Sequence, residues 1–374
     1  MGVPWVEHES WELVEEASDI AGRDVAHLLL EADAEELRLT RNAQLTTFVL
    51  SLVVLDAVER VGLAPAIAAG HSLGEYTALT ATGALGFADG VRIVAARGEA
   101  MNLAAEESPG TMAAVLGLDD DECEAACRRV DGDVWVANFN APGQVVIAGS
   151  ADAVAAASAQ AKERGAKKVM PLPVGGAFHT PFMGPARDRL KKAIQEATLR
   201  APDVPVVANV DARPYTDPDE WTSLLSAQLT SAVRWRQTVL RLRDEGVKTL
   251  VELGPGNVLT GMAKRIAPEL QAFSVATCDD LDKLLDALQS PAPVAIPPGE
   301  HLYMAERIVV SPAAGLFTPA EGYDVDRRVE VGDLLGHVGE HEVRSLFAGT
   351  LAGLVAQDGE RLTASQPVAW LRTN

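Results

Sequence analysis

Ala66-Ile67-Ala68-Ala69-Gly70-His71-Ser72-Leu73-Gly74-Glu75-Tyr76 is the stretch on which the fold turns. Ala66 to Gly70 reads as a short apolar strand, and Tyr76 to Ala84 as a helix with small residues on one face. Strand, turn, helix in that order is the grammar of an α/β layered fold. The turn itself carries Gly-x-Ser-x-Gly. Glycines two before and two after Ser72 permit a tight reversal that pushes the hydroxyl out of the backbone. The helix behind it supplies free N–H groups, of which that of Leu73 can face a developing oxyanion. Strand and helix together favour a nucleophile over an incidental serine in a glycine-rich turn.

A serine hydroxyl is a poor nucleophile until a neighbouring base takes its proton. The chain has seven histidines. His8 and His27 lie in a polar amphipathic start, and His301, His337 and His341 lie in or beside the C-terminal region. His71 adjoins the serine, but its side chain should point away across the turn. His179 remains, in Gly175-Gly176-Ala177-Phe178-His179-Thr180-Pro181, where a strand-like run ends in a loop. Loops that follow strands carry catalytic residues disproportionately, yet a lone loop histidine leaves the assignment open.

Working outward, Ala43 to Val61 reads as a long buried helix. Between Thr111 and Val174 the predicted order is βαββαβ, which is the ferredoxin-like arrangement and suggests a subdomain inserted at about 110–174. Pro291, Pro293, Pro297 and Pro298 crowd into a linker at 291–300 that sustains neither a helix nor a central strand. Residues 301–374 then form a short, glycine-punctuated β module. The expected architecture is an α/β, parallel-sheet, hydrolase-like core over 1–290, with a small all-β barrel-sandwich module at the C-terminus.

Composition narrows the function classes. The chain has 374 residues, of which 48% are hydrophobic and only 5% aromatic, enough for a core of Ala, Val and Leu. A formal charge of −21 repels phosphate backbones, so no nucleic-acid partner is expected. Cys123, Cys127 and Cys278 are too few for a disulfide framework, and no metal is expected on them. The most apolar run, Phe48 to Val58, is shorter than the roughly 20 residues a bilayer requires and contains Asp56. Glu7, Glu9, Glu12, Glu15 and Glu16 stand where a signal peptide would be basic. A cytoplasmic location away from membranes is the expectation.

The motifs also accumulate into a resemblance. GHSLGEYTALTATGALGFADGVRIVAARGEAM, GTMAAVLGLDD, NFNAPGQVVIAGS, GAFHTPFM, VPVVANVDARP, AQLTSAVRWRQTV and VELGPGNVLTGMAKRIAP occur in order over roughly residues 5–285. In this the chain resembles the malonyl-CoA:acyl carrier protein transacylases. The resemblance implies that malonyl-CoA acylates Ser72 and that His179 serves as base and then acid. It also implies that Gln228 orients the histidine through a carbonyl, that Asn140 lines the pocket, and that Arg97 grips the malonyl carboxylate. A guanidinium can hold a carboxylate through two parallel hydrogen bonds, whereas acetyl-CoA would leave its charge unpaired. Phe178 resembles the bulky residue that crowds the α-carbon in malonyl-selective relatives, and Leu73 the aliphatic residue found after their serine. The implied partners are malonyl-CoA and acyl carrier protein, with no metal, biotin, lipoate or other cofactor. Arg234, Arg236, Lys264 and Arg265 are candidates for a basic patch that docks the acidic carrier.

The chain departs from the family pattern twice. Relatives open with a buried strand and a GQG loop whose glutamine helps form the oxyanion hole, whereas Met1 to Trp5 resembles the stretch just after that loop. A start codon set too far downstream is the expected cause, and an in-frame stop immediately upstream in the gene would rule it out. Second, residues 301–374 resemble a biotinyl/lipoyl carrier domain in which the modifiable lysine is missing from the hairpin Val338-Gly339-Glu340-His341-Glu342. No lysine follows Lys283, so no amide to biotin or lipoate can form there, and docking or assembly is the expected role of this module. The alternatives are a serine hydrolase or thioesterase, and a non-catalytic scaffold.

Overall fold

The computed structural model describes residues 1–289, 306–320, 322, 326–363 and 366–372. The chain divides into two compact units, Met1–Ala292 and Pro293–Asn374. The proline-rich linker expected at 291–300 lies outside the described residues.

The first unit opens with helices α1 (Glu12–Ala21), α2 (Val25–Leu30), α3 (Ala34–Arg38) and α4 (Thr40–Arg60). The capping carboxylates of Asp24 and Asp33 accept from free N–H groups at the starts of α2 and α3. Helix α4 is apolar on nearly every side, and Phe48, Val49, Val53 and Val54 are fully enclosed. Its 21 residues would suit a membrane by length and composition, yet 78% of the 18-residue window so judged is buried inside the fold. It is the axle of the main core.

Strand β1 (Ala68–Ala69) leads through the serine turn into α5 (Gly74–Ala81), followed by α6 (Phe87–Glu107). A side chain at Gly98 of α6 would meet the Arg41 backbone at 2.7 Å, so glycine lets α6 close against the start of α4. That approach presses the neighbouring Arg97 inward. Next come β2 (Thr111–Leu116), α7 (Asp120–Arg128), β3 (Val134–Ala141), β4 (Gln144–Gly149), α8 (Ala151–Glu163) and β5 (Lys168–Pro171). These strands form an antiparallel sheet in the order β3-β4-β2-β5. Cys123 and Cys127 are buried in the core between this sheet and its helices, as small apolar side chains.

The unit continues with α9 (Gly184–Glu196), β6 (Val206–Val207), β7 (Pro214–Tyr215), α10 (Pro218–Gln228) and α11 (Trp235–Asp244). It ends with β8 (Thr249–Leu253), α12 (Val258–Ile266), β9 (Gln271–Val275) and α13 (Cys278–Gln289). The sequence reading anticipates one parallel sheet here, and the structure holds two separate ladders. β1 pairs in parallel with β6, whose other edge takes β7 antiparallel, while β8 pairs in parallel with β9. Among the described residues no strand joins the two. A ladder extends only as far as a neighbour supplies donors and acceptors. Val251 at the middle of β8 is accordingly left 37% exposed.

The second unit is built of β10 (Glu306–Val310), β11 (Gly315–Pro319), β12 (Arg328–Val329) and β13 (Leu334–Val338), then β14 (His341–Arg344), β15 (Gly349–Leu354), β16 (Arg361–Leu362) and β17 (Pro367–Arg372). They form two four-stranded sheets, β10-β17-β15-β12 and β14-β13-β11-β16, and every pairing is antiparallel. Alternate residues point inward, and Phe317, Leu335, Leu351 and Leu371 are completely enclosed in an apolar core.

Candidate active site

Ser72 occupies the tip of the β1–α5 turn with φ of 53°, a left-handed conformation that costs a non-glycine residue about 1–3 kcal/mol. Gly70 makes the turn possible, because a Cβ there would lie 1.9 Å from the backbone of Gly74. Asn209, just beyond β6, clamps the turn from below. Its Oδ1 accepts the Ser72 N–H at 2.7 Å and its Nδ2 donates to the Gly70 carbonyl at 2.7 Å. The Ser72 N–H is therefore committed, whereas the Leu73 N–H at the start of α5 donates to no acceptor among the described residues.

His179 stands in the loop before the 3₁₀ turn Pro181–Met183, with φ of 61°. Its Nε2 lies 2.8 Å from Ser72 Oγ and its Nδ1 lies 2.9 Å from the main-chain carbonyl of Gln228. A carbonyl can only accept, so Nδ1 carries the proton and the Nε2 lone pair faces the serine hydroxyl. Burial, followed by the positive field of Arg97, holds this imidazole down at a pKa of about 3. It is neutral at ordinary pH and competent to take a proton.

Arg97, 1% exposed, approaches the same oxygen from α6. Its Nη2 donates to Ser72 Oγ and to Gln228 Oε1, both at 3.0 Å, and its Nη1 donates to Gln44 Oε1 at 2.6 Å. The Tyr76 ring lies 5.4 Å from the guanidinium carbon, and the buried Nε has no hydrogen-bond partner. Gln228 ends α10, and its Nε2 donates to the Ser72 carbonyl at 2.8 Å and to Glu75 Oε2. Glu75 also accepts the Asn209 N–H on Oε1 at 2.7 Å. Burial raises its carboxyl to a pKa of about 7, opposed by the Asn209 and Gln228 hydrogen bonds and by Arg97.

The structure thus brings Ser72, His179, Arg97 and Gln228 around one oxygen. Asn140 stands to one side, with its Oδ1 2.8 Å from Nε2 of His71, whose ring tilts against Trp235 at 5.6 Å. Phe178, half-buried beside His179, packs against both the main core and the smaller cluster of Met112, Ala137 and Val146. Of the basic candidates, Arg234, Lys264 and Arg265 are exposed, Arg234 donating from Nε to the Val210 carbonyl at 3.0 Å and Arg265 to Gln144, while Arg236 is paired with Asp120 at 2.9 Å. Sequence reasoning missed Gln44, Glu75 and Asn209. Glu75 and its neighbour Tyr76 sat inside the quoted turn, but a carboxylate at the start of a helix reads as an ordinary partner of the helix dipole. Asn209 sat inside the quoted motif VPVVANVDARP without a role attached to it, and Gln44 lay in none of the quoted motifs.

Comparison with known proteins agrees with this geometry. The acyl transferase domain family matches residues 6–278, well over half of the chain. The malonyl CoA-acyl carrier protein transacylase of Escherichia coli (strain K12) is 44% identical over 267 residues, which are 71% of this chain and 86% of that protein. Its counterpart from Bacillus subtilis (strain 168) is 40% identical over 280 residues, 74% of this chain and 88% of the relative. Among solved structures, an acyl carrier protein S-malonyltransferase from Vibrio cholerae superposes with a TM-score of 0.74 at 38% identity, covering 76% of this chain and 94% of the other. A malonyl-transacylase in complex with a type II PKS acyl-carrier protein superposes with a TM-score of 0.72 at 37% identity, covering 74% and 91%. Sequence, superposition and the buried serine–histidine contact point the same way, and the chain belongs to the acyl transferase domain family.

Proposed function

We propose that this protein transfers a malonyl group from malonyl-CoA to the phosphopantetheine thiol of acyl carrier protein through a malonyl-serine intermediate on Ser72. The observation that carries the reading is the double contact on Ser72 Oγ, with a neutral imidazole at 2.8 Å and a guanidinium at 3.0 Å. Oγ attacks the thioester carbonyl while its proton passes to Nε2 of His179. The oxyanion that forms meets the Leu73 N–H. The tetrahedral intermediate then expels CoA as its thiol, protonated by the imidazolium that the Gln228 carbonyl stabilises. In the second half the carrier thiol loses its proton to His179 and attacks the acyl-serine, and the proton returns to Ser72. Arg97 binds the free carboxylate of the malonyl group, and Phe178 crowds its α-carbon against a methyl substituent. No cofactor beyond the malonyl-CoA thioester and the carrier's phosphopantetheine thiol is used.

This reading has support from the relatives, whose names specify malonyl transfer to acyl carrier protein, in one case a type II PKS acyl-carrier protein. We assign the reaction to the cytoplasm, the 110–174 segment to a ferredoxin-like insertion, and residues 301–374 to a biotinyl/lipoyl-like docking module without its attachment lysine. Exposed Arg234, Lys264 and Arg265, none of them in an ion pair among the described residues, are the members of the basic group placed to meet an acidic carrier. Mass spectrometry of the protein mixed with malonyl-CoA tests the proposal. A malonyl adduct on the peptide bearing Ser72, discharged by holo-carrier faster than by water, is the expected result. No adduct would leave a scaffold, and discharge by water alone would leave a hydrolase.

A further inference from the structure

The catalytic contacts account for the serine, the histidine and the arginine, but not for the carboxylate buried beneath them. Glu75 is 1% exposed, and a buried carboxylate is retained only where it is fully satisfied. Its two oxygens face two different parts of the site. Oε1 accepts the main-chain N–H of Asn209, whose side chain holds the Gly70–Ser72 turn from both ends. Oε2 accepts from Nε2 of Gln228.

The second contact decides which way the Gln228 amide points. On the Nε2 side stand the Ser72 carbonyl and Glu75 Oε2, both acceptors when the Glu75 carboxyl is ionised. On the Oε1 side stands only a donor, Nη2 of Arg97. The amide can satisfy both sides in one orientation, and the carboxylate at 75 adds a charged acceptor to the Ser72 carbonyl and the Arg97 donor that oppose the reverse. Arg97 is consequently held by two neutral carbonyls, from Gln228 and Gln44, and among the described residues it makes no ion pair. Its Nε has no hydrogen-bond partner, and the nearest carboxylate, that of Glu75, acts on it only through space and not by contact. A direct Glu75–Arg97 ion pair would have quenched the charge that a ligand carboxylate needs. Interposing an amide fixes the guanidinium without neutralising it.

We propose that Glu75 is a positioning residue for acyl selectivity: by fixing the Gln228 amide it aims the Arg97 guanidinium, which no carboxylate among the described residues contacts directly, at the carboxylate of the acyl donor. This rests on the reading that Arg97 binds the malonyl carboxylate. Glu75→Gln is isosteric but has one oxygen for two donors; with that oxygen kept on the Asn209 N–H, its NH2 group faces the Gln228 NH2 and favours the reversed amide, which turns a donor toward Arg97. Single-turnover acylation of Ser72 with malonyl-CoA should fall about ten- to a hundredfold in kcat/KM, the scale for misplacing a charged hydrogen bond, while acylation by acetyl-CoA, which has no carboxylate to lose, changes by less than about threefold. A merely structural role would lower both equally.

Repeating the substitution in a Gln228→Met background supplies the second readout. With no amide to orient, Glu75→Gln should then change the malonyl-to-acetyl ratio by less than about twofold, because two residues acting through one contact are not additive. An unchanged ratio in the single variant, equal losses for both donors, or full additivity in the cycle would overturn the inference. If Glu75→Gln fails to fold by circular dichroism, Glu75→Asp, which withdraws the carboxylate by one methylene, is read by the same ratio. If Gln228→Met fails to fold, the single-variant ratio decides alone. The wild-type protein is assayed first: no malonyl adduct on it overturns the function and this inference together. An adduct with an unmoved ratio in the variant overturns the inference only.

Discussion

Around Ser72 the chain buries a guanidinium, a carboxylate, an imidazole and the amides of Gln44, Asn140, Asn209 and Gln228. The module at 306–372 instead encloses Val309, Phe317, Leu335, Leu351, Leu371 and their apolar neighbours, and its buried polar side chains among the described residues are Ser311 and Ser345. Each of those serines is satisfied by a carbonyl two residues along its own chain. The catalytic cluster draws its partners from seven separate elements and loops, and it contains two non-glycine residues, Ser72 and His179, at positive φ. One region is stabilised by area removed from water, the other spends stability to hold charges and strain in place. Substitutions in the two regions should therefore read out in different measurements.

The sharpest break comes at the nucleophile. Ser72→Ala should leave the fold intact and lower malonyl transfer roughly 10⁴-fold or more, with no adduct by mass spectrometry, because the other groups cannot form the covalent intermediate. Arg97→Ala should cost on the order of 10²- to 10³-fold in kcat/KM for malonyl-CoA in a steady-state assay, through a lost charge-assisted contact and two orphaned carbonyls. An effect below about tenfold would move the carboxylate site elsewhere.

A pH experiment sharpens the contrast further. The unfolded imidazole takes up a proton near pH 6.5, while the folded His179 refuses it until about pH 3. Between those values the unfolded chain binds the extra proton, so His179 contributes its full stability above pH 6.5 and progressively less as the pH falls. Urea midpoints of the wild type measured against His179→Gln should therefore decline from pH 7.5 to 5.5. A rising difference would mean that the folded imidazole is charged. Smallest at the active site should be Leu351→Ala, which leaves a cavity costing about 2–5 kcal/mol in the second unit. Differential scanning calorimetry should show that unit melting earlier, with Ser72 acylation changed by less than about twofold.

Much of the fold was legible locally. The reading of Ala43 to Val61 as a buried helix differs from Thr40–Arg60 by a few residues at each end, because apolar periodicity marks the middle of a helix better than its caps. The element order between Thr111 and Val174 was likewise readable, since its strands alternate with amphipathic helices at short spacing. The strand before the serine shrank to Ala68–Ala69, because pairing length depends on the neighbour, here Val206–Val207, and not on the strand's own composition.

Sequence by itself determined the serine turn and its candidate nucleophile, since Gly70, Ser72 and Gly74 encode a turn geometry that few other residues can adopt, and it determined the absence of an amine for a cofactor on the 338–342 hairpin. The resemblance extended this to His179, Arg97 and Gln228. Tertiary structure alone decided that the Gln228 carbonyl fixes the His179 tautomer, that Arg97 is held by two amides, and that Glu75 and Asn209 lie beneath them. Covalent geometry travels with the chain, whereas the partner of a buried polar group is whichever residue the packing brings within 3 Å, across separations here of up to 156 positions.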